Sequence, residues 1–305
     1  MRKVLIMFLI TAIVFLIGVK VLVAPHGKIF EKAKVNEVNI AFIGDTFMDR
    51  SIRLKSEQHG YDFMFECIRP YFYNFDYVVA NMESPVTRNK SVSAGTEPGS
   101  PNNYRFTTDP HALDSMLRAG INILGIDNNH MYDFGLSGIE ETGGHIIASG
   151  IKYFGDPINK NYKSLKVDEA KNSFILISFN EFFGSAQNTL EEIALAKKEG
   201  GKIIVFAHWG NEYAPVTPRV KEWARKFVDA GADVVIGMHP HVVQETEDYN
   251  GSYIAYSLGN FLFDQYFNEE VKTGAIVEMQ MIDGEITKIG MRKTRLDEFR
   301  RPCVF

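Results

Sequence analysis

The chain has 305 residues, room for one large domain or two modest ones with an ample core. Its 33 basic residues stand against 38 acidic ones, a formal charge of −5, so nothing in the balance points to nucleic acid as a partner. Cys67 and Cys303 are the only cysteines. Export would permit a disulfide between them, and two thiols so far apart in sequence are equally open to being buried singly.

Met1-Arg2-Lys3 precedes an uncharged run over 4–19, then Lys20 and Val21-Leu22-Val23. About 20 residues suffice to cross a bilayer as a helix, with Lys20 near enough to the far end to snorkel. The basic start places the N-terminus in the cytoplasm and the remaining chain outside. Residues 1–25 are therefore read as an uncleaved anchor, giving a single-pass protein of the cell membrane with an extracytoplasmic C-terminal domain. The competing reading is a signal peptide cleaved after Ala24, which would make the protein secreted.

Residues 26–37 are charged and patternless, a tether. A strand over 38–43 ends at Gly44-Asp45. A helix is expected over 61–72, then a second strand over 77–80 ending at Asn81-Met82-Glu83. Residues 87–103, rich in Ser, Asn, Gly and Pro, read as a mobile surface loop and candidate lid near the site. Asp109-Pro110 starts a helix and Ala119-Gly120 stops it. A strand over 121–126 follows, ending at Asp127-Asn128-Asn129-His130.

The same grammar recurs. Helices are expected over 137–149, 190–198 and 218–230, each stopped by glycine, with strands over 151–154, 173–178 and 202–207. The last of these strands ends at His208-Trp209-Gly210. The apolar run over 232–236 is a buried strand leading into Gly237-Met238-His239-Pro240-His241. In an extended backbone His239 and His241 would aim at one spot, with Pro240 as a stiff spacer. Strands over 253–256, 274–281 and 286–292 lack intervening helices. The expectation is one α/β domain over 38–305, with repeated helix–strand units finished by antiparallel strands.

Collecting the strand ends gives Asp45, Glu83, Asn129 with His130, His208, and His239 with His241. Parallel strands present their C-terminal ends on one edge, where α/β folds bind ligands. Singly, each residue has an ordinary explanation as a turn, cap or hydrogen-bonded group. Jointly, carboxylates, an amide and imidazoles make a mixed N/O set suited to Mn²⁺, Fe²⁺ or Zn²⁺ rather than a thiolate site.

The ordered series Gly44-Asp45, Asn81-Met82-Glu83, Asn128-Asn129-His130, His208-Trp209-Gly210, Gly237-Met238-His239-Pro240-His241 and Ser257-Leu258-Gly259-Asn260-Phe261 resembles the CapA family. These are poly-γ-glutamate capsule biosynthesis proteins with a calcineurin-like metallophosphoesterase fold, and the resemblance covers about residues 38–264. It implies that Asp45 binds one metal and that Glu83 is the bridging carboxylate, where the wider fold usually has Asp. Asn129 would bind the second metal, completed by His208 and His239, while His241 returns to the first. His130 would protonate the leaving group or hold a phosphate oxygen, and Asn128 stands where that motif has Gly. The departure is at Asp45-Thr46-Phe47, where many members of the wider fold have Asp-x-His. The first metal is left one protein ligand short, so one or two divalent ions are implied.

Three further residues are candidates around this set. Arg50 could meet a substrate anion or be a solvated arginine at a helix start. Asp133 could orient His130 or act as a cap before Phe134-Gly135. Asn260 is read as a turn residue buttressing the pocket, not a ligand. The resemblance implies a phosphoesterase-type hydrolase at the cell surface, taking an anionic polymer or phosphoester in capsule synthesis or export. The alternatives are a non-catalytic component held among other polymer-synthase subunits, and a secreted metal-dependent phosphodiesterase acting on another envelope polymer.

Overall fold

In strand β1 (Glu37–Thr46), Ile40 and Phe42 enter one apolar layer while Ala41 and Ile43 enter another. A strand buried on both faces lies inside a layered sandwich, and the period of two divides its side chains between the layers. The computed structural model describes residues 36–158 and 164–305. The expected anchor over 1–25 and nearly all of the tether lie outside the described residues. Among the described residues, no helix is long and apolar enough to cross a membrane.

After β1 come α1 (Arg50–His59), a 3₁₀ turn over Tyr61–Phe65, α2 (Arg69–Phe72) and β2 (Tyr77–Met82). Next are α3 (His111–Ala119), β3 (Ile123–Gly125), α4 (Gly135–Ser149) and β4 (Lys152–Phe154). The hairpin of β5 (Leu165–Glu169) and β6 (Asn172–Asn180) leads to α5 (Ala186–Glu199), β7 (Lys202–His208), α6 (Pro218–Ala230) and β8 (Val234–Met238). The chain closes with β9 (Thr246–Tyr249), β10 (Ser252–Ala255), β11 (Asn260–Leu262), β12 (Thr273–Ile282), β13 (Glu285–Leu296) and β14 (Pro302–Val304).

Two sheets result. The first runs β14-β13-β12-β1-β2-β3-β4, with β11 also pairing β1; the second runs β5-β6-β7-β8-β10-β9. Strands β1 to β4 are mutually parallel, as are β6, β7, β8 and β10, while β12, β13 and β14 are antiparallel. Phe42, Val79 and Val277 of the first sheet share a core with Leu176, Phe206 and Ile236 of the second. Helices α1 to α4 cover the outer face of the first sheet through Ile52, Phe72, Met116 and Ile146. Helices α5 and α6 cover the second through Ile193, Val220 and Phe227. This is the α/β architecture with mixed sheets that the helix–strand grammar led us to expect.

One expected helix is corrected. Residues 61–72 form a 3₁₀ turn and a separate short helix, because Pro70 cannot sit in the interior of a continuous helix. Cys67 and Cys303 are joined in a disulfide, with Cα atoms 5.3 Å apart, which fastens β14 to the segment before α2.

Candidate metal centre

Strand β1 delivers Asp45 by an irregular route. Its register against β2 shifts between Ile43 and Asp45, so Asp45 lies beside Asn81, and on its other side Asp45 pairs with Asn260. A bulge of this kind re-aims a side chain at a strand end. Gly44 makes it possible: a Cβ there would sit 2.0 Å from the Gly259 carbonyl oxygen. Glu83 follows β2, Asn128 to His130 follow β3, His208 ends β7, and His239 and His241 follow β8. The ligand-type side chains therefore come from both sheets.

They meet in two groups. Glu83, His208 and His239 each offer one ligand atom within 4.8 Å of the others, and so do Asp45, Glu83 and His241. Glu83 belongs to both. All five residues are buried, and neither Glu83 carboxylate oxygen has a hydrogen-bond partner among the described residues; nor does His239 Nδ1. Buried polar atoms are rarely left orphaned, so this donor set fits a cation held between the groups.

His239 and His241 do not continue the strand. Their φ angles are +93° and +58°, left-handed values that non-glycine residues adopt only when the surroundings enforce them. The expectation that both rings aim at one spot from an extended backbone is corrected: the turn sends each to a different group, with ring centroids 5.9 Å apart.

The surroundings orient these side chains. Asn81 Nδ2 donates to Asp45 Oδ1 at 2.8 Å, and the His239 backbone N–H donates to Asp45 Oδ2 at 3.1 Å. His241 Nδ1 donates to Asn260 Oδ1 at 2.9 Å, which leaves Nε2 facing Glu83 Oε1 at 3.7 Å. His208 Nε2 lies 2.8 Å from Asn129 Oδ1. His130 Nδ1 donates to Asp133 Oδ2 at 3.0 Å, and the same oxygen accepts the Phe106 backbone N–H at 2.8 Å. The helix that follows takes no side-chain cap from Asp133.

Arg50 meets Asp264 in an ion pair, donates to Asn103 Oδ1 at 3.2 Å, and lies over the Phe47 and Phe106 rings. An incoming anion would have to displace a carboxylate already in place. Phe47, where a histidine would complete the first motif, is buried and stacks on Phe263 at 4.5 Å. The loop over 87–103 is irregular, as expected, but anchored: Ser93 is buried and donates to Asp49 at 2.9 Å.

Burial polarises the titrating groups. It works to raise the Asp45 carboxyl, but His241, through its hydrogen bond and charge, holds it below the ordinary value together with His208 and Asn81. On Glu83 the balance runs the other way: burial first, and then the Asp45 charge, push its carboxyl well above the ordinary value. Burial lowers His208, helped by the neighbouring His239, and lowers His239 to about 4, helped by His241. Both imidazoles are thus neutral near pH 7, the form that ligates a metal.

Sequence reasoning missed Asn81, which joins Asp45, His208 and Asn128 (its Oδ1 accepts from Asn128 Nδ2 at 3.1 Å). The signal was present: two residues before Glu83 on a strand, it shares that residue's face. Nothing in the pattern marked Phe182, whose ring packs 4.5 Å from His239, or Tyr213, 5.9 Å from His241.

Comparison with known proteins bears on this arrangement. The family model described as "Bacterial capsule synthesis protein PGA_cap" matches residues 39–265, a span holding every residue of both groups. The chain belongs to this family. Among its relatives, the PGA biosynthesis protein CapA of Bacillus subtilis (strain 168) is 31% identical over 247 residues, covering 75% of this chain and 64% of the relative. The capsule biosynthesis protein CapA of Bacillus anthracis is 30% identical over 277 residues, covering 83% and 66%. The chain thus spans just under two thirds of the length of these curated relatives. Looser likenesses link it to solved structures of the sulfate thiohydrolase SoxB from Thermus thermophilus and the purple acid phosphatase PPD1 from yellow lupin. Each has a TM-score of 0.44 at 11% identity, over 75% of this chain and 38% of SoxB, and 88% of this chain and 52% of PPD1.

Proposed function

We propose that this chain is a metal-dependent hydrolase of the phosphoesterase type, built on a calcineurin-like metallophosphoesterase fold and serving poly-γ-glutamate capsule biosynthesis or export at the cell surface. The observation that carries the reading is Glu83, buried, with neither carboxylate oxygen hydrogen-bonded among the described residues, and common to two ligand groups. Glu83, His208 and His239, with the Asn129 amide oxygen beside His208, would hold one divalent ion; Asp45, Glu83 and His241 would hold the other. Bound Mn²⁺, Fe²⁺ or Zn²⁺ would supply Lewis-acid polarisation of a phosphoryl group and neutralise its charge.

The chain's own residues supply the rest. His130, with its Nδ1–H committed to Asp133, keeps Nε2 uncommitted, and once Nε2 has also taken up a proton it could hand that proton to a leaving oxygen. Asn260 and Asn81 hold His241 and Asp45 in one orientation, so little rearrangement accompanies binding. Residues 1–25 would tether the domain outside the cytoplasmic membrane, and the Cys67–Cys303 disulfide suits an oxidising compartment.

The test is metal content and Mn²⁺-dependent hydrolysis of an aryl phosphodiester by the full chain, beside a His239→Ala plus His241→Ala variant. Stoichiometric metal and turnover, both lost in the variant, support the reading. No metal in either protein after reconstitution overturns it. One observation favours a second reading, a non-catalytic component of a polymer-synthase complex. Phe47 fills with an aromatic stack the place where the first metal would gain another ligand. Metal without turnover, with synthase subunits recovered alongside, would favour that reading.

A further inference from the structure

The two ends of a side-chain amide have the same shape and opposite chemistry, so its partners decide which way it faces. Asn260 has one partner that settles the matter. The Val271 backbone carbonyl, 3.0 Å away, can only accept, so it meets Nδ2 and turns Oδ1 towards His241. The direction then passes outwards. Asn260 Nδ2 also donates to Gln265 Oε1 at 3.0 Å, which leaves Gln265 Nε2 to donate to the Tyr213 hydroxyl at 2.7 Å. Tyr213 closes the circuit. Its ring stacks on His241 with centroids 5.9 Å apart, and its backbone N–H donates to the Pro240 carbonyl at 2.8 Å. Its φ is +56°, beside +58° at His241, so two left-handed non-glycine residues are held against each other.

The circuit matters because His241 Nδ1 has two acceptors in reach. Asn260 Oδ1 lies at 2.9 Å and Asp45 Oδ2 at 3.3 Å. Either one keeps the proton of the neutral ring on Nδ1 and the lone pair on Nε2, the atom that faces Glu83. They differ in what they leave open. Asp45 belongs to the same ligand group as His241, and it already accepts from Asn81 and from the His239 backbone. A further proton directed at this carboxylate would compete with a cation for its lone pairs. The same proton directed at Asn260 leaves them for the ion.

We propose that Gln265 and Tyr213 are positioning residues for His241, holding the Asn260 amide and the imidazole so that Nδ1–H stays on Asn260 and off Asp45. This rests on the metal-centre reading above.

The test reads metal affinity and the imidazole proton, not turnover. Mn²⁺ binding to the full chain is measured by calorimetry for the wild type, Gln265→Leu, Tyr213→Phe, Asn260→Ala and the Gln265→Leu plus Asn260→Ala pair. Gln265→Leu removes both contacts at nearly unchanged size and is expected to weaken binding of one ion by about tenfold. Tyr213→Phe keeps the stacked ring, loses only the hydroxyl, and should weaken it by less. In the Asn260→Ala background Gln265→Leu should add nothing, because the two act in series. In the metal-free chain, the His241 Nδ1 proton resonance should move downfield in Gln265→Leu as its acceptor changes from an amide to a carboxylate. Weaker binding with that resonance in place would assign Gln265 a structural role and overturn the proposal. Unchanged affinity in both single variants, or a full additional loss in the Asn260→Ala background, overturns it as well and leaves the metal centre standing. A wild-type chain that binds no Mn²⁺ sinks the metal-centre reading and this role with it.

Discussion

At neutral pH Glu83 is under two opposing demands. Without a cation, burial and the Asp45 charge favour the protonated carboxyl; with one, the proton must leave. His208 and His239 face no such conflict, since burial already keeps them neutral. Metal uptake should therefore release protons from the carboxyl and not from these two imidazoles. Titrating the metal-free chain with Mn²⁺ at pH 7, in two buffers of different ionisation enthalpy, should show release of up to about one proton per ion. The sign follows from the raised carboxyl: affinity climbs with pH, by up to about tenfold per unit, until Glu83 is ionised in the free protein. Glu83→Gln should abolish the release and weaken binding. Unchanged release in that variant would show that the proton comes from elsewhere.

Element geometry explains how far the sequence could be read. Strand ends were legible because parallel strands share an edge, so Asp45, Glu83, Asn129, His208, His239 and His241 could be collected before any coordinates. The split into two sheets was not, since β2 and β7 are apolar on both faces and carry no sign of which layer they join. Helix α1 was legible only at its start, where Arg50 could be read as a helix-start arginine; its span was not, because its buried face includes Arg53 and Ser56 beside Ile52, which hides the helical period. Strands β9 and β11 are short, and β9 is polar as well. Glycines carried information of another kind. Gly44 is needed because β1 and the Gly259 backbone touch, and the contact fixes the bulge that aims Asp45. Gly44→Ala should cost about 1–3 kcal/mol or more in denaturant unfolding and lower metal affinity with it. Gly290→Ala, where an added Cβ meets nothing within 4 Å, should stay within about 0.5 kcal/mol. Equal effects of the two would show that the close approach at Gly44 is not what holds the bulge.

For the whole molecule, the centre is a point where two sheets must agree. Asp45, Glu83 and Asn129 ride on one, His208, His239 and His241 on the other, and the shared apolar core sets their spacing. The Cys67–Cys303 disulfide acts at a different place. It closes a loop of sequence separation 236, fastening the edge strand β14, and neither of its segments contributes to the ligand groups. A cross-link over so long a loop restricts the unfolded chain, so removing it should lower stability by about 2–4 kcal/mol. The ligand groups depend on the inner strands β1, β2, β7 and β8, so metal stoichiometry in the folded protein should not change. Cys67→Ser with Cys303→Ser, unfolded in urea with metal content measured before the transition, separates the two outcomes. A lower midpoint with full metal content is expected. Loss of metal without loss of stability would mean that the edge strand reaches the centre by a route that the sheet order does not contain.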